Sequence, residues 1–266
     1  MRYFTIGWIA LVLVSILTSN SFAGAGIIVA LNSDLEQLRK NLKTGQISKK
    51  AGREFYSGKI GDRDVVLVRS PMGKVNNAIT AQLLLSHYPV RFLLSIGPGG
   101  AVDNGLNVGD VVIGAEVYQH DLGTIKPYGF IWSRVPDGTN WDEPGYNMMD
   151  KGLRKSASLY ASAKKKGRNR IVQGVIVTGD QFISCQEKRA WLCKKFKGAA
   201  VDTGAAAIAQ VCYANQIPCC MLRVITDKAQ VNARTDFEDF IASQRSDIDI
   251  FGLVKALIQA GQKRSG

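Results

Sequence analysis

From Ile171 onward the sequence switches regularly between strand-length apolar runs and helix-length segments. Ile171 to Thr178 reads as a strand, Cys185 to Phe196 as a helix and Gly198 to Val201 as a short strand. Ala205 to Asn215 then reads as a helix and Pro218 to Ile225 as a strand. Such alternation predicts an α/β fold: a mostly parallel central sheet with helices on both faces, three layers in all. A closing helix over Asp247 to Gln259 carries Ile250, Phe251, Val254, Leu257 and Ile258 on one face.

The first half carries related signals. Gly26 to Leu31 is an apolar strand, and Ser33-x-x-Glu36 supplies a capping box for a helix over Asp34 to Leu42. Arg53 to Lys59 and Asp64 to Arg69 alternate like a hairpin around Gly61-Asp62. After a turn at Ser70 to Lys74, Asn76 to Tyr88 has helical spacing, and Arg91 to Ile96 is a buried strand ending in a turn, Gly97-Pro98-Gly99-Gly100. The strand Asp110 to Tyr118 enters a long loop, His120 to Asn147, which carries Tyr128, Phe130, Trp132, Trp141 and Tyr146. That loop suits a lid, a subunit interface or a self-packed surface element. A further helix is expected near Met148 to Lys166.

Residues 1–23 read as a secretory signal peptide: Arg2, a short apolar run Ile6 to Leu17, then Ser21-Phe22-Ala23 as a small-x-small cleavage pattern. The apolar run falls short of the ~20 residues that span a bilayer. An exported, periplasmic or secreted protein without stable membrane insertion is the expectation. With 266 residues and 46% hydrophobic content, residues 24–266 can form one sizeable domain. Five cysteines cannot all pair within one chain, and Cys212, Cys219 and Cys220 lie in apolar runs, so buried thiols are expected. Two histidines and no Cys-x-x-Cys argue against a metal site or a His-based triad. The net charge of +12 is spread over short basic runs without interleaved aromatics, the pattern of a solvated surface rather than a nucleic-acid groove.

The chemistry gathers at strand ends. Val177 to Ile183, Ala200 to Cys212 and Arg223 to Asp227 each run from a buried strand into a turn or helix, which places Asp180, Asp202 and Asp227 on one edge of the sheet. Open α/β folds bind ligands there. Asp227, beside the hydroxyl of Thr226, should be partly desolvated and so able to act as an acid near neutral pH. Asp34, just after the first strand, suits either a matching base or a favourable charge in a first helical turn. The Gly97 to Gly100 segment could bring backbone N–H groups close to a ligand or be a purely structural turn. Lys74 reads as a solvated loop lysine.

In order along the chain, Gly26 to Leu31, Met72-Gly73-Lys74-Val75, Gly97 to Gly100 followed by Val108-Gly109-Asp110-Val111-Val112, and Tyr118-x-His120-Asp121 occur as in the nucleoside phosphorylase superfamily. Thr178-Gly179-Asp180-x-Phe182-Ile183, Val201-Asp202 and Thr226-Asp227 complete the series. The chain most resembles the 5′-methylthioadenosine/S-adenosylhomocysteine nucleosidases. The resemblance implies an α/β/α fold of the nucleoside phosphorylase type, a homodimer, no cofactor, and hydrolysis of the N-glycosidic bond of a purine nucleoside. It further implies that Asp227, helped by Thr226, protonates the leaving base, that Phe182 stacks on it, that the backbone at Ile183 reads its edge, and that Asp34 orients water. Asp202, Thr203, Gly97, Gly99 and Met72 would complete the substrate site.

Two positions depart from that pattern. Where the family reads Val-Glu-Met-Glu, with the second Glu on the ribose hydroxyls, this chain has Val201-Asp202-Thr203-Gly204, and the water-positioning Glu is shortened to Asp34. Phosphorylases of the superfamily hold phosphate with arginines near the first strand and the Gly-rich segment, whereas Asn32-Ser33-Asp34 and Ser95-Ile96-Gly97-Pro98 offer none. The expectation is therefore an exported nucleosidase. A superfamily member that binds or stores nucleosides without cleaving them is the alternative, favoured by Gly204.

Overall fold

The computed structural model describes residues 24–135, 169–243 and 249–262. The expected leader, the expected helix near Met148 to Lys166, and Trp141 and Tyr146 lie outside the described residues.

β1 (Gly24–Val29) is buried along its whole length. It lies between β4 (Arg63–Arg69) and β5 (Val90–Ala101), parallel to both. The helices α1 (Asn32–Lys40), α2 (Lys74–His87) and α6 (Ile250–Gln262) also touch it, so a continuous apolar run is what its surroundings require. The apolar stripe of α6 packs Leu253, Val254, Leu257 and Ile258 into the core. β3 (Arg53–Ile60) and β4 form the expected hairpin, and Gly61 takes the left-handed φ of 65° that its turn needs. β2 (Lys43–Lys50) pairs outside β3 as an edge strand. Its polar sequence, KTGQISKK, gives no sign of a strand, because such an edge has little to bury.

The other half of the sheet contains β6 (Val111–Gln119), β9 (Ile171–Thr178), β10 (Gly198–Asp202) and β11 (Cys219–Asp227). Strand order is β10-β9-β6-β11-β5-β1-β4-β3-β2, and a further pairing of β10 with β5 closes the first five of these into a ring. Four pairings are antiparallel: β10 with β5, β11 with β6, β2 with β3, and β3 with β4. The expected mostly parallel three-layer sheet is thus corrected to a mixed sheet with a closed end.

The closure comes from the length of β5. Its 12 residues run straight through Gly97-Pro98-Gly99-Gly100, which is strand and not the expected turn. Gly97, Pro98 and Gly99 pair with Arg223, Val224 and Ile225 of β11, while Gly100 pairs with Val201 of β10. A side chain on Gly99 would bring its Cβ to 3.2 Å from the Cβ of Arg223, so the glycine permits this approach. α4 (Ala205–Ala214), preceded by α3 (Gln186–Phe196), lies against β6, β9 and β11, its opening Ala205-Ala206-Ala207 letting it sit close.

One local expectation is also corrected. The capping box at Ser33 does not form: the helix starts earlier, Leu31 is its N-cap, and no side chain caps it. α5 (Ala233–Ser243) gives little periodic signal, since it buries only Ala233 and Phe240. The aromatic loop contains a hairpin, β7 (Gly123–Lys126) and β8 (Gly129–Trp132). Trp132 packs edge-on against Phe196, 4.9 Å between ring centroids, and donates its indole N–H to the Gln119 carbonyl, so this part is self-packed. Cys212, Cys219 and Cys220 are buried, as expected.

Asp202 and Arg223 form an ion pair with both side chains only 4% exposed. Removing one partner leaves the other charge buried and alone. Arg223→Met is expected to destabilise the fold by about 3–5 kcal/mol in urea unfolding, with Asp202→Asn/Arg223→Met losing less than the sum of the single changes.

Candidate active site

The end of β11 carries Thr226 and Asp227 to the edge of the sheet. Asp227 is 3% exposed. Its Oδ1 accepts the Ala229 N–H at 2.8 Å and its Oδ2 accepts the Thr226 hydroxyl at 2.9 Å. Ala229 adopts a left-handed φ of 51°, which turns the chain back so that its N–H meets the carboxylate. Burial raises the pKa of Asp227, and the two hydrogen bonds offset this only in part. The carboxyl opens on a cavity of about 60 Å³ that Phe182, Ile183, Gly99 and Phe237 also line. Phe182 is 45% exposed, and its ring meets Phe237 edge-on at 6.1 Å. A buried carboxyl with a raised pKa thus faces a slot walled by aromatic rings, which suits a flat heterocycle with a basic nitrogen.

A second cavity of about 90 Å³ adjoins it, and Met72, Asp202 and Thr203 line both. Asn77, Gly204 and Arg223 line only the second, and Gly97 lines it without reaching the first. Asp202 faces these spaces with its carboxylate already engaged. Oδ1 accepts the Thr178 hydroxyl at 2.5 Å, and Oδ2 accepts Arg223 Nε at 2.5 Å and the Ala205 N–H at 2.8 Å. The sequence places Asp202 at the site, and the structure gives its charge to the scaffold.

Asp34 lines a third, larger cavity of about 370 Å³ that meets the first at Pro98 and Thr226. Burial, with no other cause, raises its pKa to about 6. Asp34 and Asp227 therefore stand in adjoining cavities and not in one.

Asp180 does not join them. It is exposed, and its Oδ1 accepts the backbone N–H of Lys74 at 2.8 Å, capping α2 from across the fold. Lys74 is not the solvated lysine expected: its ammonium is 2.7 Å from Asp121 and also donates to Gln119. Asp121 lies 47 positions away, so local sequence carries no sign of this pair. Burial would raise the pKa of Asp121, but Lys74 and the Asp180 N–H hold it below the usual range. Among the described residues no cluster of three or more His, Cys, Asp or Glu could hold a metal ion.

Sequence reasoning gave no role to Arg223, Asn77 or Phe237. Arg223 had a readable signal, a lone charge inside the apolar run of β11, which a buried strand tolerates only beside a partner. Asn77 and Phe237 had none, because their place in the cleft depends on how α2 and α5 pack.

The site is thus a buried carboxyl over an aromatic-lined slot, at strand ends of a mixed α/β sheet. Residues 25–259 match the sequence profile of the phosphorylase superfamily, and the chain belongs to that family. It is 33% identical over 239 residues to the 5′-methylthioadenosine/S-adenosylhomocysteine nucleosidase of Buchnera aphidicola subsp. Baizongia pistaciae, covering 88% of this chain and 90% of that one. The same-named nucleosidase of Colwellia psychrerythraea, solved in complex with adenine, superposes with a TM-score of 0.77 at 28% identity, covering 90% of this chain and 95% of that one. The futalosine hydrolase of Helicobacter pylori shares the fold, with a TM-score of 0.75 at 23% identity over 91% and 99% of the two chains.

His120 sits behind Gly179, fully buried, with neither ring nitrogen hydrogen-bonded. Burial lowers its pKa from 6.5 to about 4, so the folded protein holds it neutral while the unfolded chain takes up a proton below pH 6.5. Its contribution is complete above pH 6.5 and is lost as pH falls towards 4, a drop of about 3 kcal/mol. His120→Gln is expected to flatten that part of the stability profile, measured by urea unfolding of both proteins between pH 4 and 7.

Proposed function

We propose that this chain is a hydrolase that cleaves the N-glycosidic bond of a purine nucleoside of the methylthioadenosine or S-adenosylhomocysteine kind. The carrying observation is Asp227: buried, raised in pKa, held by Thr226 and Ala229, and aimed into the aromatic slot. In the reaction Asp227 gives its proton to the imidazole-ring nitrogen of the leaving base, Phe182 and Ile183 hold that base, and Asp34 orients water. Water adds to the anomeric carbon as the carbon–nitrogen bond breaks, and its released proton goes to Asp34. The Buchnera relative bears the name of this activity. Water is favoured over phosphate because Arg223, the arginine lining the second cavity, has its guanidinium engaged by Asp202, Ser95 and the Leu222 carbonyl. A homodimer and export to the periplasm or medium complete the proposal, the latter resting on residues 1–23.

The second reading, a protein that binds nucleosides without cleaving them, is favoured by the absence of a side chain at Gly204 and by the engagement of Asp202. The two readings separate in one assay. The chain from Gly24 onward is incubated with methylthioadenosine, S-adenosylhomocysteine, adenosine and inosine, with and without phosphate, and base release is followed. Phosphate-independent release is expected, and adenine binding without release would establish the second reading. Asp227→Asn should lower kcat/KM by at least about 100-fold while leaving the melting temperature near that of the parent. The kcat/KM profile should rise with pH through about 6 as Asp34 ionises, and Asp34→Asn should remove that rise.

A further inference from the structure

No left-handed conformation requires glycine at residue 204, whose φ is −148°. What excludes a side chain there is Asn77. A Cβ on residue 204 would stand 2.6 Å from Asn77 Cγ and Nδ2, and 2.8 Å from its Oδ1. Asn77 thus fills the volume that a larger residue at 204 would need.

Asn77 is also held in place. It lies in the first turn of α2, is 8% exposed, and donates Nδ2 to the carbonyls of Gly73 at 2.9 Å and Pro71 at 3.3 Å. With the amide hydrogens committed, Oδ1 is the remaining polar atom of a side chain that lines the second cavity beside Thr203 and Gly204. The neighbouring carboxylate, Asp202, already accepts three hydrogen bonds.

On the nucleosidase reading above, we propose that Asn77 is the sugar-binding residue of this site, its Oδ1 accepting a ring hydroxyl where the resembling nucleosidases use a glutamate at the position of Gly204. The exchange replaces a carboxylate from α4 by a neutral amide from α2. Hydrogen bonds to a neutral oxygen are weaker than those to a carboxylate, so this site separates ribosides from 2′-deoxyribosides less sharply than a carboxylate would.

The test is isothermal titration of adenine, adenosine and 2′-deoxyadenosine in an Asp227→Asn background, which removes turnover. Adenosine should bind more tightly than adenine, and Asn77→Ala should weaken adenosine about 5- to 10-fold while moving adenine less than about 2-fold. Gly204→Ala, which keeps the amide but pushes it aside, should do the same and carries the test if Asn77→Ala does not fold. Asn77→Ala combined with Gly204→Glu should restore adenosine binding and widen its margin over 2′-deoxyadenosine to about 10-fold or more. Failure of adenine to bind the parent protein, in which Asp227 is intact, would overturn the purine-site reading and this proposal with it. Adenine binding, with an adenosine advantage that is absent or unmoved by either single change, would overturn the role of Asn77 alone.

Discussion

Arg223 and Asp202 meet with almost no access to water, and four other groups complete their contacts. Asp202 takes the Thr178 hydroxyl and the Ala205 N–H, and Thr178 in turn accepts the Ala206 N–H. Arg223 donates onward to Ser95 and to the Leu222 carbonyl. This network joins β5, β9, β10 and β11 to the first turn of α4. Desolvating two charges is tolerable only when nearly every donor and acceptor is matched, so the register of those strands is tied to the pair. A slip of one residue in β11 would turn Arg223 to the opposite face and leave Asp202 unpaired.

The same register sets the site. Arg223 stands opposite Gly97, and a register shift between Ile225 and Asp227 then brings Asp227 opposite Gly100, where a Cβ would lie 2.8 Å from Asp227 Oδ1. The glycines of β5 therefore serve two side chains of β11, one structural and one placed at the cleft. Backbone closeness, not a ligand-binding turn, explains why they are glycines. Their position inside a strand also accounts for the cleft lying along β5, with Pro98 lining all three cavities.

Much of this was legible, and the boundary falls between local and non-local information. The strands from Ile171 onward lie where apolar run length places them, because β10 and β11 are buried throughout, β9 is buried at its end, and each carries its own signal. The position of Thr226 and Asp227 at a strand end follows from the same run. Ring closure was not legible, since it rests on β10 meeting β5 across about a hundred residues. The glycine run compounds this, as its composition reads equally as turn or as crowded strand. Lys74 shows the same limit: its partner Asp121 comes from a different element, and only folding brings them together. At the site, sequence points to Asp202 as a ligand group, but its hydrogen bonds are decided by Arg223 and Thr178.

The division of charge in the cleft bears on the proposed reaction. Departure of a base leaves positive charge on the sugar, and anionic groups near the anomeric carbon lower the barrier. Asp202 is neutralised by Arg223, and Gly204 brings no carboxylate. On the sugar side this leaves Asp34, whose pKa near 6 keeps it mostly ionised at pH 7. That pKa is raised because burial leaves the carboxylate poorly solvated, and a poorly solvated anion gains most when a cation forms beside it. The shorter side chain of Asp34 then matters less for reach than for environment. Asp34 stands in the first turn of α1, and its poorly solvated carboxylate is the anion left to stabilise charge that forms on the sugar.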